Sequence, residues 1–268
     1  MRKYLKLYWK FTKVSVRKAT MYRSTYIAGI VGQWLGYGVT FATLYIMVTS
    51  FDTLAGWNGS EVMLLYGFSL LAYAIGAAFF FTPSINLAGK VKSGEFDQSL
   101  TKPVHPFLHE MFQGFNAGYI SHLTISIFVI AISIANLQFS ISFINVAMLL
   151  FMLLGAVLIQ AAVLIAAGAL SFFTINENPM IDFLLFDVKS FVNYPITIFP
   201  RAVQFVLTFI LPYAFINFYP AAALLGKEVP VGLPEVLAYL SPLMGILVFT
   251  LSILLWNWGL KHYKSTGS

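Results

Sequence analysis

Residues 143–172 read FINVAMLLFMLLGAVLIQAAVLIAAGALSF, a run of 30 residues without Asp, Glu, Lys or Arg. A helix needs about 20 apolar residues to cross the hydrocarbon core of a bilayer, so this run predicts a membrane-spanning helix. The whole chain is 59% hydrophobic and only 10% charged, whereas about a quarter of the residues in a soluble domain are charged. The sequence therefore predicts an integral membrane protein.

Charge-free stretches on either side of this run predict the rest of the fold. We expect an all-α polytopic membrane protein with one domain over residues 1–268 and six spans. The predicted spans are 26–48, 61–82, 112–135, 143–172, 202–218 and 239–260. Residues 219–238 contain Pro230 and Pro234 and are too short and broken to span, so we predict a re-entrant segment on the outer side.

The positive charges predict the orientation of these spans. With the N-terminus inside, segments 1–25, 83–111, 173–201 and 261–268 face the cytoplasm and hold 15 of the 16 Lys and Arg residues. Lys227 alone lies outside. Because cytoplasmic loops carry the excess of positive charge, both chain ends are predicted to be cytoplasmic.

Residues 1–25 predict an amphipathic helix lying at the cytoplasmic surface in contact with membrane lipid. Lys6, Lys10 and Lys13 recur at steps of three and four, and Leu7 and Phe11 recur likewise on another face. Such a helix can serve merely as an orientation anchor, and this alternative stays open.

The residue types exclude several function classes. Apart from Glu61 at the edge of the second, the predicted spans contain no Asp, Glu, Lys or Arg, which argues against ion-coupled carriers, proton pumps and voltage sensors. The chain has no Cys, no P-loop sequence and no metal-binding motif. We therefore predict no catalytic, cofactor-binding or metal-ligating residues in this chain, and no nucleic-acid partner.

Two polar residues lie well inside predicted spans and are candidates for a translocation path. They are Gln33 in the first span and Gln160 in the fourth. Either side chain could equally form hydrogen bonds that hold helices together.

The loop 86–106 has the densest charge outside the N-terminus. Gly94 can end one helix, and residues 95–100 can form a short amphipathic helix that stops before Pro103. With Phe96 exposed, this helix would suit docking to a partner. A solvated connector is the alternative.

This loop also carries a resemblance to a known family. Gly94-Glu95-Phe96-Asp97, followed by Leu100-Thr101-Lys102-Pro103, resembles the G-x-[IF]-D-x-x-L-x-[KR]-P stretch of the ABC-2 family, the type-2 exporter permeases of bacterial ABC transporters. Asn193-Tyr194-Pro195, Phe218-Tyr219-Pro220-Ala221 and the ending from Trp256 are similar to further marks of this family. The resemblance covers the whole chain.

The resemblance implies a permease in the bacterial inner membrane that exports a drug, peptide, lipid or polysaccharide. An apolar translocation route favours a hydrophobic or amphipathic substrate of the drug, peptide or lipid class. It implies two copies of a separate ATPase, which binds the ATP and Mg²⁺, and a second permease subunit, identical or different. The ATPase would contact a coupling helix through these residues: Gly94, Glu95, Phe96, Asp97 and Leu100. An ATP-independent carrier or channel is the alternative function.

Overall fold

The computed structural model describes residues 2–50, 53–137, 142–174, 183, 187–230 and 233–265. Within these ranges the chain is helical and forms no strand. The helices are α1 (Arg2–Met21), α2 (Arg23–Ser50), α3 (Gly59–Ser93), α4 (Phe96–Leu100), α5 (Pro106–Gln113), α6 (Ile120–Asn136), α7 (Phe143–Ala169), α8 (Val188–Phe191), α9 (Arg201–Phe205), α10 (Phe218–Leu225) and α11 (Ser241–His262).

Five helical stretches in the described residues are long and apolar enough to cross a membrane. They are Arg23–Met47, Gly59–Ser93, Ala117–Asn136, Phe143–Phe172 and Ser241–His262. An all-α polytopic membrane protein is confirmed, and these five stretches coincide with five of the six predicted spans.

Helix α3 forms the centre of the molecule, and α7 packs along it in the same direction. Gly76 faces Gln160, and eight residues later in both helices Gly168 faces the backbone of Ser84. A β-carbon at Gly168 would lie only 2.9 Å from the Cα of Ser84, so a glycine is needed at this contact.

Helix α11 runs parallel to α7, starting level with its middle. A β-carbon on Gly245 would lie 2.5 Å from the carbonyl oxygen of Gly155, so the two backbones touch. Helices α3, α7 and α11 therefore end on the same side of the molecule. That side also carries Lys90 and Lys261, and we call it the basic end; the opposite side is the far end.

Helices α2 and α6 run the opposite way. The Tyr26 hydroxyl donates to the carbonyl of Ala117 over 3.1 Å near the basic end, and Gly67 packs against Ile130 toward the far end. The N-terminal helix α1 packs on α5 through Tyr8 and Phe112, whose ring centroids lie 5.5 Å apart. Helix α1 and the segment that follows α11 therefore both lie at the basic end.

The predicted fifth span, 202–218, does not form a continuous helix. Helix α9 continues as a π-helix over Val206–Ile210 and stops before Pro212, which lacks a backbone N–H and cannot extend the helix. Arg201 lines one pocket with Gly56 and Lys227 at the far end. The carbonyl of Phe215 accepts a 2.6 Å hydrogen bond from Ser241, level with the middle of α7.

Residues 201–227 therefore form a hairpin that enters from the far end and returns to it. Its return is fixed by Lys227, whose Nζ lies 2.9 Å from both the Gly56 carbonyl and the Glu61 carboxylate. Residues 218–222 of helix α10 are buried, so this part of the hairpin is covered by protein. Residues 233–240 then lead to the start of α11, and the described residues of the predicted segment 219–238 thus lie between the far end and the middle of the molecule.

Before this hairpin, the described residues lie successively at the basic end (Phe172), at middle depth (Lys189) and at the far end (Arg201). Lys189 lies beside Tyr73 near the middle of α3, and the carbonyl of Val192 accepts a hydrogen bond from the Asn217 amide. The prediction that the whole of 173–201 lies at the same end as residues 83–111 is therefore wrong for Lys189 and Arg201. Hydropathy missed this stretch because it contains Glu177, Asp182, Asp187 and Lys189. A charge count also ignores the ring of Tyr73, which lies against the Lys189 ammonium group.

Candidate functional site

The short helix predicted in the loop 86–106 is confirmed as α4. Gly94 ends α3 in the left-handed conformation, with φ of +74°, and its N–H bonds to the Val91 carbonyl. A side chain would be strained there, so glycine permits the sharp turn into α4. The chain leaves α4 before Pro103, as the sequence predicts.

Phe96 anchors α4 to the membrane helices. Its side chain is 0% exposed, and its ring centroid lies 5.2 Å from that of Phe172 and 5.1 Å from that of Tyr263. The expectation of an exposed aromatic residue was therefore wrong. An amphipathic helix of one turn has a single apolar face, and here that face covers the ends of α7 and α11.

Asp97 ties α4 to the C-terminal segment. Its carboxylate accepts hydrogen bonds from the Tyr263 hydroxyl at 2.9 Å and from the Ser265 hydroxyl at 2.5 Å. The pKa of Tyr263 is raised, mainly by burial and also by its contact with this carboxylate. Phe96 and Asp97 together hold α4 against the end of α11.

Glu110 is a buried carboxylate that joins three elements at this site. Its side chain is 1% exposed, lies 2.8 Å from Lys90 Nζ and accepts a hydrogen bond from the Ser99 hydroxyl. It thereby connects α3, α4 and α5. Sequence reasoning missed Glu110, although it is the one acidic residue between Asp97 and Glu177 and sits next to His109.

His109 lies beside this network on α5, where His105 caps the helix and Pro106 begins it. Burial lowers the pKa of His109, against a smaller upward effect of Glu110. Its ring also contacts Phe11 of α1, with centroids 6.5 Å apart.

The outer surface of α4 is open. Glu95 and Leu100 are exposed, Leu100 by 44%. Beside them a groove of about 480 Å³ runs between α1, α4 and α5. Its walls include Leu7, Phe11, Gln98, Lys102 and Val104. A rigid helix bordering a groove of mixed polarity is suited to binding a protein surface.

The two path candidates occupy different environments. Gln33 is exposed on α2 and its amide oxygen accepts a hydrogen bond from Ser121 of α6. Gln160 is 3% exposed between α3 and α7. Across the part of the chain that the structure describes, no three His, Asp or Glu side chains cluster as metal ligands.

Comparison with known proteins assigns the chain to a family. The sequence profile of the family described as "ABC-2 family transporter protein" matches residues 35–267, which include α4, the hairpin 201–227 and α11. Searches among curated proteins and among solved structures found no significant match. The chain belongs to the ABC-2 family of transporter proteins.

Proposed function

We propose that this chain is the permease subunit of an ATP-driven exporter in the bacterial inner membrane. The observation that carries the proposal is α4, a short helix held on one side by buried contacts and open on the other. A force applied to such a helix is passed to α3, α7 and α11, because Phe96, Asp97 and Ser99 bind it to elements packed on those helices.

The basic end faces the cytoplasm in this proposal. With Arg201 at the far end and Lys189 between the ends, 13 of the 16 Lys and Arg residues lie in the segments at the basic end, and two lie at the far end. This excess still follows the rule that cytoplasmic segments are positively charged. It puts α4 where a cytoplasmic ATPase can reach it.

The energy for transport comes from two copies of a separate ATPase, which hold ATP and Mg²⁺. The sequence has no P-loop, so this chain needs such a partner. Glu95 and Leu100 supply the contact surface on α4, together with the neighbouring groove. Gly94, Phe96 and Asp97 position that surface.

A second permease subunit, identical or different, completes the transporter. Helix α2 is the proposed contact, since only 6% of the residues in its apolar 18-residue stretch are buried within the chain. Gly29, Gly32 and Gly36 have no other atom within 4 Å of an added β-carbon, so a partner helix can approach closely. Because the chain has no Cys, single cysteines on α2 would report this contact by cross-linking.

The substrate is a hydrophobic or amphipathic molecule of the drug, peptide or lipid class, since the spanning helices are predominantly apolar. Gln33 and Gln160 remain candidates for the path that it follows. The hydrogen bond from Ser121 to Gln33 supports a role for Gln33 in holding α2 to α6 as well.

Co-purification of the ATPase tests the proposal. Glu95→Lys reverses an exposed charge at the basic end, and Glu228→Lys makes the same change at the far end. We expect Glu95→Lys or Leu100→Arg to weaken ATPase binding about tenfold, as for loss of an interface contact of about 1.4 kcal/mol. Glu228→Lys should leave it unchanged.

Equal binding to all three variants would exclude α4 as the contact. Transport by liposomes that contain only this chain would instead support an ATP-independent carrier or channel.

A further inference from the structure

A polar cavity lies between the helices, far from α4. It occupies about 170 Å³ between α2, α3 and residues 189–193. Its walls include Tyr37, Thr40, Tyr66, Ser69, Lys189 and Asn193. This composition differs from the apolar surroundings, because hydroxyl, amide and ammonium groups converge there.

Lys189 is the charged group of this cavity. Its Nζ lies 3.0 Å from the ring centroid of Tyr73 and 6.0 Å from that of Tyr37, near the middle of α3. A cation–π contact offsets only part of the cost of taking an ammonium group out of water. The site therefore retains a strong preference for a negative charge.

The described part of the chain provides no carboxylate for Lys189. Its lysine–carboxylate ion pairs join Lys90 to Glu110 and Lys227 to Glu61. The side chain of Asp187, two residues before Lys189, is exposed and forms no ion pair with it.

The cavity has room for an anionic group. An apolar cavity of about 150 Å³ can hold benzene, so 170 Å³ accommodates a carboxylate or phosphate with part of its chain. The hydroxyl groups of Tyr37 and Ser69 and the Asn193 amide can donate hydrogen bonds to its oxygens.

The surroundings of the cavity suggest what else the ligand carries. Helix α2, which forms one wall, exposes Val31, Leu35 and Val39. An apolar part of a ligand can pack on these side chains and leave water, which favours an amphiphile over a small polar anion.

We propose that this cavity binds the carboxylate or phosphate group of an anionic amphiphile, with Lys189 as its counter-ion. The proposal rests on the proposed transport function in that the amphiphile would be the transported substrate or a lipid bound along its path. A single-chain carboxylate and a two-chain phospholipid share the recognised chemistry.

Binding to the purified chain in detergent tests this without any ATPase. Oleate is the probe, and oleyl alcohol is the uncharged control with the same chain length. We expect Lys189→Gln to weaken oleate binding tenfold or more, whereas Lys189→Arg retains it. Lys264→Gln removes an exposed lysine at the basic end and should have no effect.

The proposal is overturned if Lys189→Gln binds both oleate and phosphatidylglycerol as tightly as the unmodified chain does, or if oleyl alcohol binds as tightly as oleate. Native mass spectrometry with phosphatidylglycerol distinguishes a bound phospholipid from a single-chain carboxylate as the source of the anionic group. Lys189-dependent retention of phosphatidylglycerol alone supports a bound lipid, and Lys189-dependent binding of oleate alone supports a single-chain substrate. Since ATPase co-purification is measured separately, loss of oleate binding and loss of coupling remain distinguishable.

Discussion

Replacing Lys90 by Met tests whether the network around Glu110 holds the candidate coupling helix in place. The substitution keeps most of the side-chain volume and removes the positive charge 2.8 Å from the Glu110 carboxylate. Glu110 is 1% exposed, so its carboxylate cannot reach water and keeps only the Ser99 hydroxyl and, 3.9 Å away, the His109 ring as partners. The prediction is therefore that Lys90→Met destabilises the protein strongly.

The magnitude follows from the exposure of the two partners. Removing one partner of a buried ion pair costs about 3 to 5 kcal/mol. Lys90 is 21% exposed, so solvent already screens part of this interaction, and we expect about 2 to 3 kcal/mol for Lys90→Met. Glu110→Gln should cost only about 1 kcal/mol, because Lys90 can then reach water and Gln keeps a hydrogen bond to Ser99.

Reversible unfolding in mixed micelles of dodecyl maltoside and sodium dodecyl sulfate would measure these free energies. The double variant Lys90→Met/Glu110→Gln leaves no buried charge, so its cost should fall below the sum of the single variants by about 1 to 2 kcal/mol. Lys92→Met, an exposed lysine on the same helix, is the control and should stay within about 0.5 kcal/mol of the unmodified protein. Additive effects, or equal effects of Lys90→Met and Lys92→Met, would refute the reasoning.

Three further predictions concern packing, topology and pH. Gly245→Leu should lower the unfolding temperature strongly, because its side chain would collide with the backbone of Gly155. Gly89→Leu should not, because nothing lies within 4 Å of an added β-carbon there, and equal thermal shifts would contradict this packing. Arg201→Cys should react with a membrane-impermeant maleimide added outside intact cells, because Arg201 lies at the far end. Reaction only after lysis would instead place Arg201 on the cytoplasmic side. Burial lowers the pKa of His109 below its ordinary 6.5, so the unfolded chain binds more protons below that pH and stability falls there. His109→Gln should lessen that fall in unfolding experiments across pH 5 to 8, and an unchanged pH profile would count against it.

The sequence identified α4 but misjudged its faces. Gly94 and Pro103 bound the helix through local backbone preferences, which are readable from one short stretch. The burial of Phe96 depends on Phe172 and Tyr263, which are far away in the sequence. No local pattern contains those contacts.

The buried carboxylate of Glu110 escaped prediction for a related reason. An isolated acidic residue beside a histidine most often faces solvent, and its partners lie 11 and 20 residues earlier in the chain. Only the packing of α3 against α5 brings Lys90 and Glu110 together.

By itself, the sequence determined the class of protein and five spanning helices. Long runs of apolar residues have one stable environment, the bilayer, and they must be helical there because no water satisfies the backbone. The tertiary structure decided where the remaining crossing lies. Hydropathy selected 202–218, but Pro212 breaks that stretch into a hairpin, and residues 187–197 complete the crossing although they contain Lys189. A residue-by-residue hydropathy scale predicts that this lysine lies outside the membrane. The folded chain accommodates it because the rings of Tyr73 and Tyr37 lie 3.0 and 6.0 Å from its ammonium group.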